Sequence, residues 1–146
     1  MNIKLKVLMI GLLISTLISG CVEETEQNFI SVDTSTSTPF FPKQKEIPAS
    51  YMEARLVGEL VISNGCLRVD NYLVVWPHGF SISTDDKVIH IINNTGKSIA
   101  HVGDKVKLGG GGGEMPDESI AKYSAELPND HCSGPYFIVG EVLTSD

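Results

Sequence analysis

Basic side chains are scarce in this 146-residue chain: 11 Lys and Arg face 18 Asp and Glu, a formal net charge of −7. No basic stripe or cluster stands out, so the electrostatic footprint of a nucleic-acid binder is missing. A surplus of acid reads most simply as a contribution to solubility. Beyond the N-terminal segment there is no second long apolar run, and a membrane-spanning helix needs about 20 apolar residues. Metal-ligand spacings are also lacking, with no Cys-x-x-Cys, no His-x-x-x-His and no EF-hand string. At this length there is room for one domain.

What is present starts at the N-terminus. "MNIKLK" supplies Lys4 and Lys6, "VLMIGLLISTLIS" is apolar or small throughout, and "ISGC" closes the run at Cys21. Basic, apolar and small-residue zones in that order read as a signal peptide over residues 1–20. The four residues Ile18, Ser19, Gly20 and Cys21 resemble the lipobox of prokaryotic lipoproteins. The resemblance implies that Cys21 is lipidated on sulfur and becomes the first residue of the mature chain. Several acyl chains on one residue exceed the two-signal threshold for stable anchoring, at about 0.8 kcal/mol per buried CH₂. It thus implies a protein held on the cell membrane or envelope, facing outside the cytoplasm, with the lipid bilayer as a partner through Cys21. Cleavage removes two lysines and no acid, leaving a net charge of −9.

Residues 21–50 then read as the lipidated cysteine followed by a disordered tether, rich in Ser, Thr, Glu and Pro and without apolar period. Phe40 and Phe41 interrupt it, either as an exposed docking motif or as rings that pack back on the domain. From Tyr51 to Asp146 the texture changes to short apolar runs between turn signals. "ARLVGELVIS" alternates with Leu56, Gly58, Leu60 and Ile62 on one face. Asn64-Gly65 is a hairpin turn leading into "CLRVDNYLVVW". "KVIHII" and "KSIAHV" form a second pair around "NNTG", "DKVKL" is a further strand, and "YFIVGEVLT" closes the chain. "PDESIAKYSAEL" is the helical candidate, with Pro116 at its first position, acids in its first turn, and Ile120, Tyr123 and Leu127 at helical spacing.

The expected fold is therefore mainly β, a small antiparallel barrel with one short helix before the last strand. Its closest likeness is to OB-like or SH3-like barrels, on the Gly-Asp turn of "HVGDKVKLGG". The helix position departs from the OB pattern, which places one between the third and fourth strands. "GCLRV", "LVVWPHGFS", "VGDKVKLGGG" and "CSGPYFIVGEV" together resemble an extracytoplasmic domain of prokaryotic lipoproteins, a likeness that covers nearly all of the chain from Tyr51 onward and implies no activity.

With Cys21 assigned to lipid, Cys66 and Cys132 remain, on the oxidising side of the membrane. A disulfide between them would close a long loop and contribute about 4 kcal/mol in the chain-entropy model, comparable to what a core this small supplies. The rival is a metal site of these thiolates with some of His78, His90, His101 and His131, for which the spacing is wrong. "GFSIS" lacks the second glycine of a nucleophile elbow, and the tandem acids of "TDD" read as a solvated turn. "GGGGGEMP" has Glu114 where a phosphate-binding loop carries lysine. Those glycines are expected to form a strand-to-helix corner, bending sharply or passing close to another backbone such as the final strand.

These readings give no catalytic residue, no metal site and no cofactor. They favour a membrane-tethered binding or interaction module, not an enzyme, with an envelope protein or glycan as partner and no nucleic acid. Its candidate ligand-binding residues are Trp76, His78 and Phe80, aromatic or polar groups at a barrel rim, though Trp76 reads more simply as the core's largest ring. The alternative is a cell-surface metalloprotein or hydrolase whose site the sequence does not reveal. Asn93-Asn94-Thr95 meets the N-glycosylation pattern on an expected turn.

Overall fold

The computed structural model describes residues 38–143. Residues 1–37, with the signal peptide, Cys21 and most of the tether, and residues 144–146 lie outside the described residues. Strands β1 (Ala54–Ser63), β2 (Cys66–Val69) and β3 (Tyr72–Val75) form an antiparallel meander. Asn64 and Gly65 both take positive φ, 52° and 77°, as a type I′ hairpin turn requires. The chain then leaves the meander to build a separate sheet from β4 (Ser81–Asp85), β5 (Val88–Ile92) and β6 (Ser98–His101). It returns as β7 (Lys105–Gly113), makes the single turn of helix α1 (Asp117–Ile120), and ends on β8 (Tyr136–Leu143).

β1, β2, β3, β8 and β7 close into a ring, with β7 pairing back onto β1 from Glu59↔Lys105 to Ala54↔Gly110. The protein is thus a small, mainly β, OB-like barrel with one short helix before the last strand. Where the OB pattern has a helix, between the third and fourth barrel strands, this chain carries the β4–β6 sheet. Four seams are antiparallel; the fifth, β3 with β8, is parallel, in the register Leu73↔Tyr136, Val74↔Phe137, Val75↔Ile138.

That parallel seam is buried on both faces. Val74, Trp76, Phe137 and Val139 point into the barrel core with Leu60, Leu67, Val69 and Leu108. Leu73, Val75, Tyr136 and Ile138 point the other way, into a second cluster with Ile120 and the cysteines. Burial on two sides explains why "YLVVW" and "YFIV" read as unbroken apolar runs where β1 alternates. Cys66 and Cys132 form the expected disulfide, with Cα atoms 5.6 Å apart, and staple the start of β2 to the loop between α1 and β8.

Three expectations change. The glycines are no corner: Gly109–Gly113 continue β7 and pair with β8 as far as Gly113↔Tyr136, across a bulge at Gly109/Gly110. The other alternative, close approach to the final strand, is what demands glycine there. A Cβ at Gly110 would stand 2.1 Å from the carbonyl oxygen of Ile138, and one at Gly112 would stand 2.0 Å from that of Tyr136. The helix is one turn long, because only Ile120 of its apolar stripe finds a core while Tyr123 and Leu127 stay exposed. And "TDD", expected as a solvated turn, is divided: Thr84 and Asp85 end β4, and the turn to β5 uses Asp86 and Lys87 at positive φ in place of a glycine.

The domain also begins earlier than Tyr51. Residues 39–45 form a strap across the open end of the β2–β3 hairpin. Phe40 exchanges backbone hydrogen bonds with Gly65 and Leu67 on one side, and Pro42 and Gln44 bond to Trp76 on the other. The strap then pairs with the segment after α1, where Lys45 N–H donates to Tyr123 and Ala125 N–H to Lys43. Phe41 stacks on Trp76 with ring centroids 5.6 Å apart, so the rings pack back and do not project.

Candidate functional site

The site is built where β3 stops. Pro77 removes the next ladder donor, and Gly79 at φ 82° turns the chain so that Phe80 N–H donates to the Pro77 carbonyl. This turn throws His78 outward and brings Phe80 back against Trp76, centroids 6.4 Å apart. Trp76 itself is 0% exposed, held between Phe41 and Phe80. It is a core ring and not a rim ligand, and its indole N–H has no hydrogen-bond partner among the described residues. Of the three expected binding residues, His78 and Phe80 reach the surface and Trp76 does not.

The strap supplies the other wall. Gln44 is buried, and its side-chain amide donates to the carbonyls of Val139 and Val75, tying together the end of the parallel seam. Its own carbonyl accepts a hydrogen bond from His78 Nδ1 at 3.3 Å, which orients the imidazole. Lys43 is committed to Glu126, by its backbone N–H at 3.0 Å and its ammonium at 3.5 Å. Beyond Gln44 the chain emerges from the strap and lays Tyr51 and Met52 on the outer face of β7 and β8. The recess they occupy exists because that face is glycine: a Cβ at Gly140 would lie 2.7 Å from the Tyr51 ring, and one at Gly111 would lie 2.5 Å from Met52.

Three adjoining grooves result. The first, about 370 Å³, lies between Lys43, Lys45 and Glu126 on one side and Gly79 and Phe80 on the other. The second, about 200 Å³, shares Gln44, His78 and Phe80 with the first and adds Ile47, Pro48, Tyr51 and Asn94. The third, about 380 Å³, shares Tyr51, Gly140 and Glu141 with the second and runs on to Met52, Glu53 and Arg55. Along this line Ile47 and Tyr51 are 70% and 51% exposed, far more than a core would leave. Sequence reasoning found His78 and Phe80 but missed Gln44, Ile47, Tyr51 and Glu141. The missed signal was Ile47, an apolar residue inside the segment that reads as tether, four positions before Tyr51.

The remaining candidate chemistry does not converge. The disulfide takes both thiolates on which a metal reading rested, and no group of three or more His, Cys, Asp or Glu side chains among the described residues is placed to hold a metal ion. His90 and His101 meet edge to face across β5 and β6, 5.8 Å apart, where His101 Nε2 lies 3.2 Å from Asp104. Ser81 and Ser83 of the "GFSIS" stretch lie on the exposed β4. Among the described residues the strongly perturbed group is structural: burial, then its hydrogen bond to Asp117 at 2.6 Å, pushes the Tyr136 phenol well above the usual tyrosine range, and that bond fastens α1 to β8. Comparison of the sequence finds no match among protein-family models, curated proteins or solved structures, so the site is defined by its geometry.

Proposed function

We propose that the protein is a lipid-anchored binding module, held outside the cytoplasm by acylated Cys21, that takes an extended ligand along the three grooves. The observation that carries the ligand reading is the continuity of those grooves through two shared walls, Gln44/His78/Phe80 and Tyr51/Gly140/Glu141. A shallow line of aromatic faces, one imidazole and scattered carboxylates suits successive units of a glycan or peptide chain. A catalytic centre gathers its polar groups in one enclosed spot, which this line does not do. The anchor reading is supported by the order of basic, apolar and small residues ending at Cys21. Among the described residues no helix is long and apolar enough to cross a membrane.

The binding test is amide chemical-shift mapping on the disulfide-intact mature chain, titrated with fragments of the native envelope's glycans and with its peptides. Shifts should trace Gln44, Tyr51, His78 and Glu141. Ile47→Asp and His78→Ala should weaken binding at least about tenfold, the scale of losing one good contact of roughly 1.4 kcal/mol. Shifts confined to the β4–β6 sheet would refute the groove. Trp76→Ala would not report on binding, since removing this buried ring costs about 3–5 kcal/mol of stability. The anchor has its own test in the intact mass of protein from native membranes, which should start at Cys21 with acyl groups added.

A further inference from the structure

We propose that Asn93 is an N-glycan acceptor; the inference rests on the export reading above and adds a modification site to it. Asn93, Asn94 and Thr95 form the acceptor pattern, with no proline in the middle. They lie at the turn joining β5 to β6, closed by hydrogen bonds from Asn93 N–H to Lys97 and from Gly96 N–H to Asn93, and every residue from Asn94 to Ser98 is exposed.

The side chain of Asn93 is already sorted for the reaction. Its Oδ1 accepts three hydrogen bonds, from Thr95 N–H at 3.0 Å, from Lys97 N–H at 2.9 Å and from the Thr95 hydroxyl at 2.7 Å. Two of those donors are backbone N–H groups, which only the oxygen of the amide can face, so the usual ambiguity between amide oxygen and nitrogen does not arise. Nδ2 is therefore the atom on the other branch, and no hydrogen bond among the described residues uses it. Thr95 is more than a pattern match: its hydroxyl and its N–H both hold the carbonyl oxygen of the half-buried Asn93 amide, so neither competes for the nitrogen.

In the transfer, Nδ2 forms a bond to the anomeric carbon of a saccharide carried on a lipid phosphate. The bond from that carbon to the phosphate oxygen breaks, the lipid phosphate leaves with the electron pair, and one Nδ2 proton passes to a base of the transferase. No oxidant or reductant is required.

The experiment is intact-mass measurement of the protein purified from its native membranes, for the wild type and for the Asn93→Gln, Thr95→Ala, Thr95→Ser and Asn94→Ala variants. The saccharide mass should appear on the wild type, N94A and T95S, and vanish completely from N93Q and T95A. The two silent variants differ in which partner of the Asx turn they alter, and a melting curve on each shows that it is folded. A chain that starts at Cys21, carries acyl mass and lacks saccharide overturns this proposal while leaving the anchor standing. Saccharide that persists in N93Q overturns it as well. A chain with its N-terminal segment uncleaved and neither addition overturns the export reading and this one together.

Discussion

The barrel and the β4–β6 sheet are cut from one short chain and end up with opposite characters. β3 and the first half of β8 are buried almost throughout, β2 likewise, and their ring has no free edge. β4 is exposed at four of its five positions, and the sheet reaches the core chiefly through Ile91 and Ala100, with Ile82 and Ile99 packed behind them. The barrel is further closed by the strap, the disulfide and the Tyr136–Asp117 bond; the sheet has two open edges and hairpin turns of short polar residues. Closure makes the barrel a rigid platform for the groove wall, while the sheet is free to vary at its tips, where Asn93 lies.

The comparison can be broken from the barrel side first. Replacing both Cys66 and Cys132 with Ala should lower unfolding free energy by about 4 kcal/mol, the cost of reopening a loop of 66 residues; a denaturant titration measures it. Gly110→Val should cost about 3 kcal/mol, the upper range for overpacking, because the obstacle is the backbone carbonyl of Ile138 and not a side chain that can move. If Gly110→Val left stability unchanged, the pairing of β7 with β8 through the glycines would be wrong.

Tyr136→Phe sharpens the picture by pH. Folding raises the affinity of this phenol for its proton, so its contribution is fully present below the ordinary tyrosine value of about 10. It drains away as pH rises beyond that toward the higher folded-state value. The variant should be less stable than wild type by about 1–2 kcal/mol at neutral pH, having lost a hydrogen bond to a charged group. The gap should close above pH 10, as read from melting curves across pH. The smallest effect belongs to the sheet: Val88→Ala, on an exposed edge of the turn, should change global stability by less than about 0.5 kcal/mol. Amides of β4 and β5 should exchange with solvent at lower opening free energy than those of β3 and β8.

Local signals in the sequence located most of the strands. Alternation gave β1 from Ala54 to Ser63, Asn64-Gly65 gave its hairpin, and the two unbroken apolar runs marked the strands that pair in parallel. What stayed hidden depended on partners far away in sequence. Gly109–Gly113 look like a bend because glycine is a poor strand former; a close approach to the final strand was legible there, but not that the run continues β7 and pairs with β8 over the carbonyls of Ile138 and Tyr136. Gln44 looks like tether because its environment is polar locally, and Tyr51 looks like the mere start of the domain; their burial or placement is conferred by Val139 and Gly140 at the other end of the chain. The candidate site was half legible for the same reason. His78 and Phe80 follow a strand end marked by proline, while the opposite wall comes from the strap.

A photoreactive residue placed at Ile47, compared with the same residue at Val88 in living cells, tests the binding surface most directly. The grooves predict a discrete envelope-glycan or peptide adduct from position 47 and none from position 88. Adducts from position 88 alone would contradict the account and move the binding surface to the β4–β6 sheet.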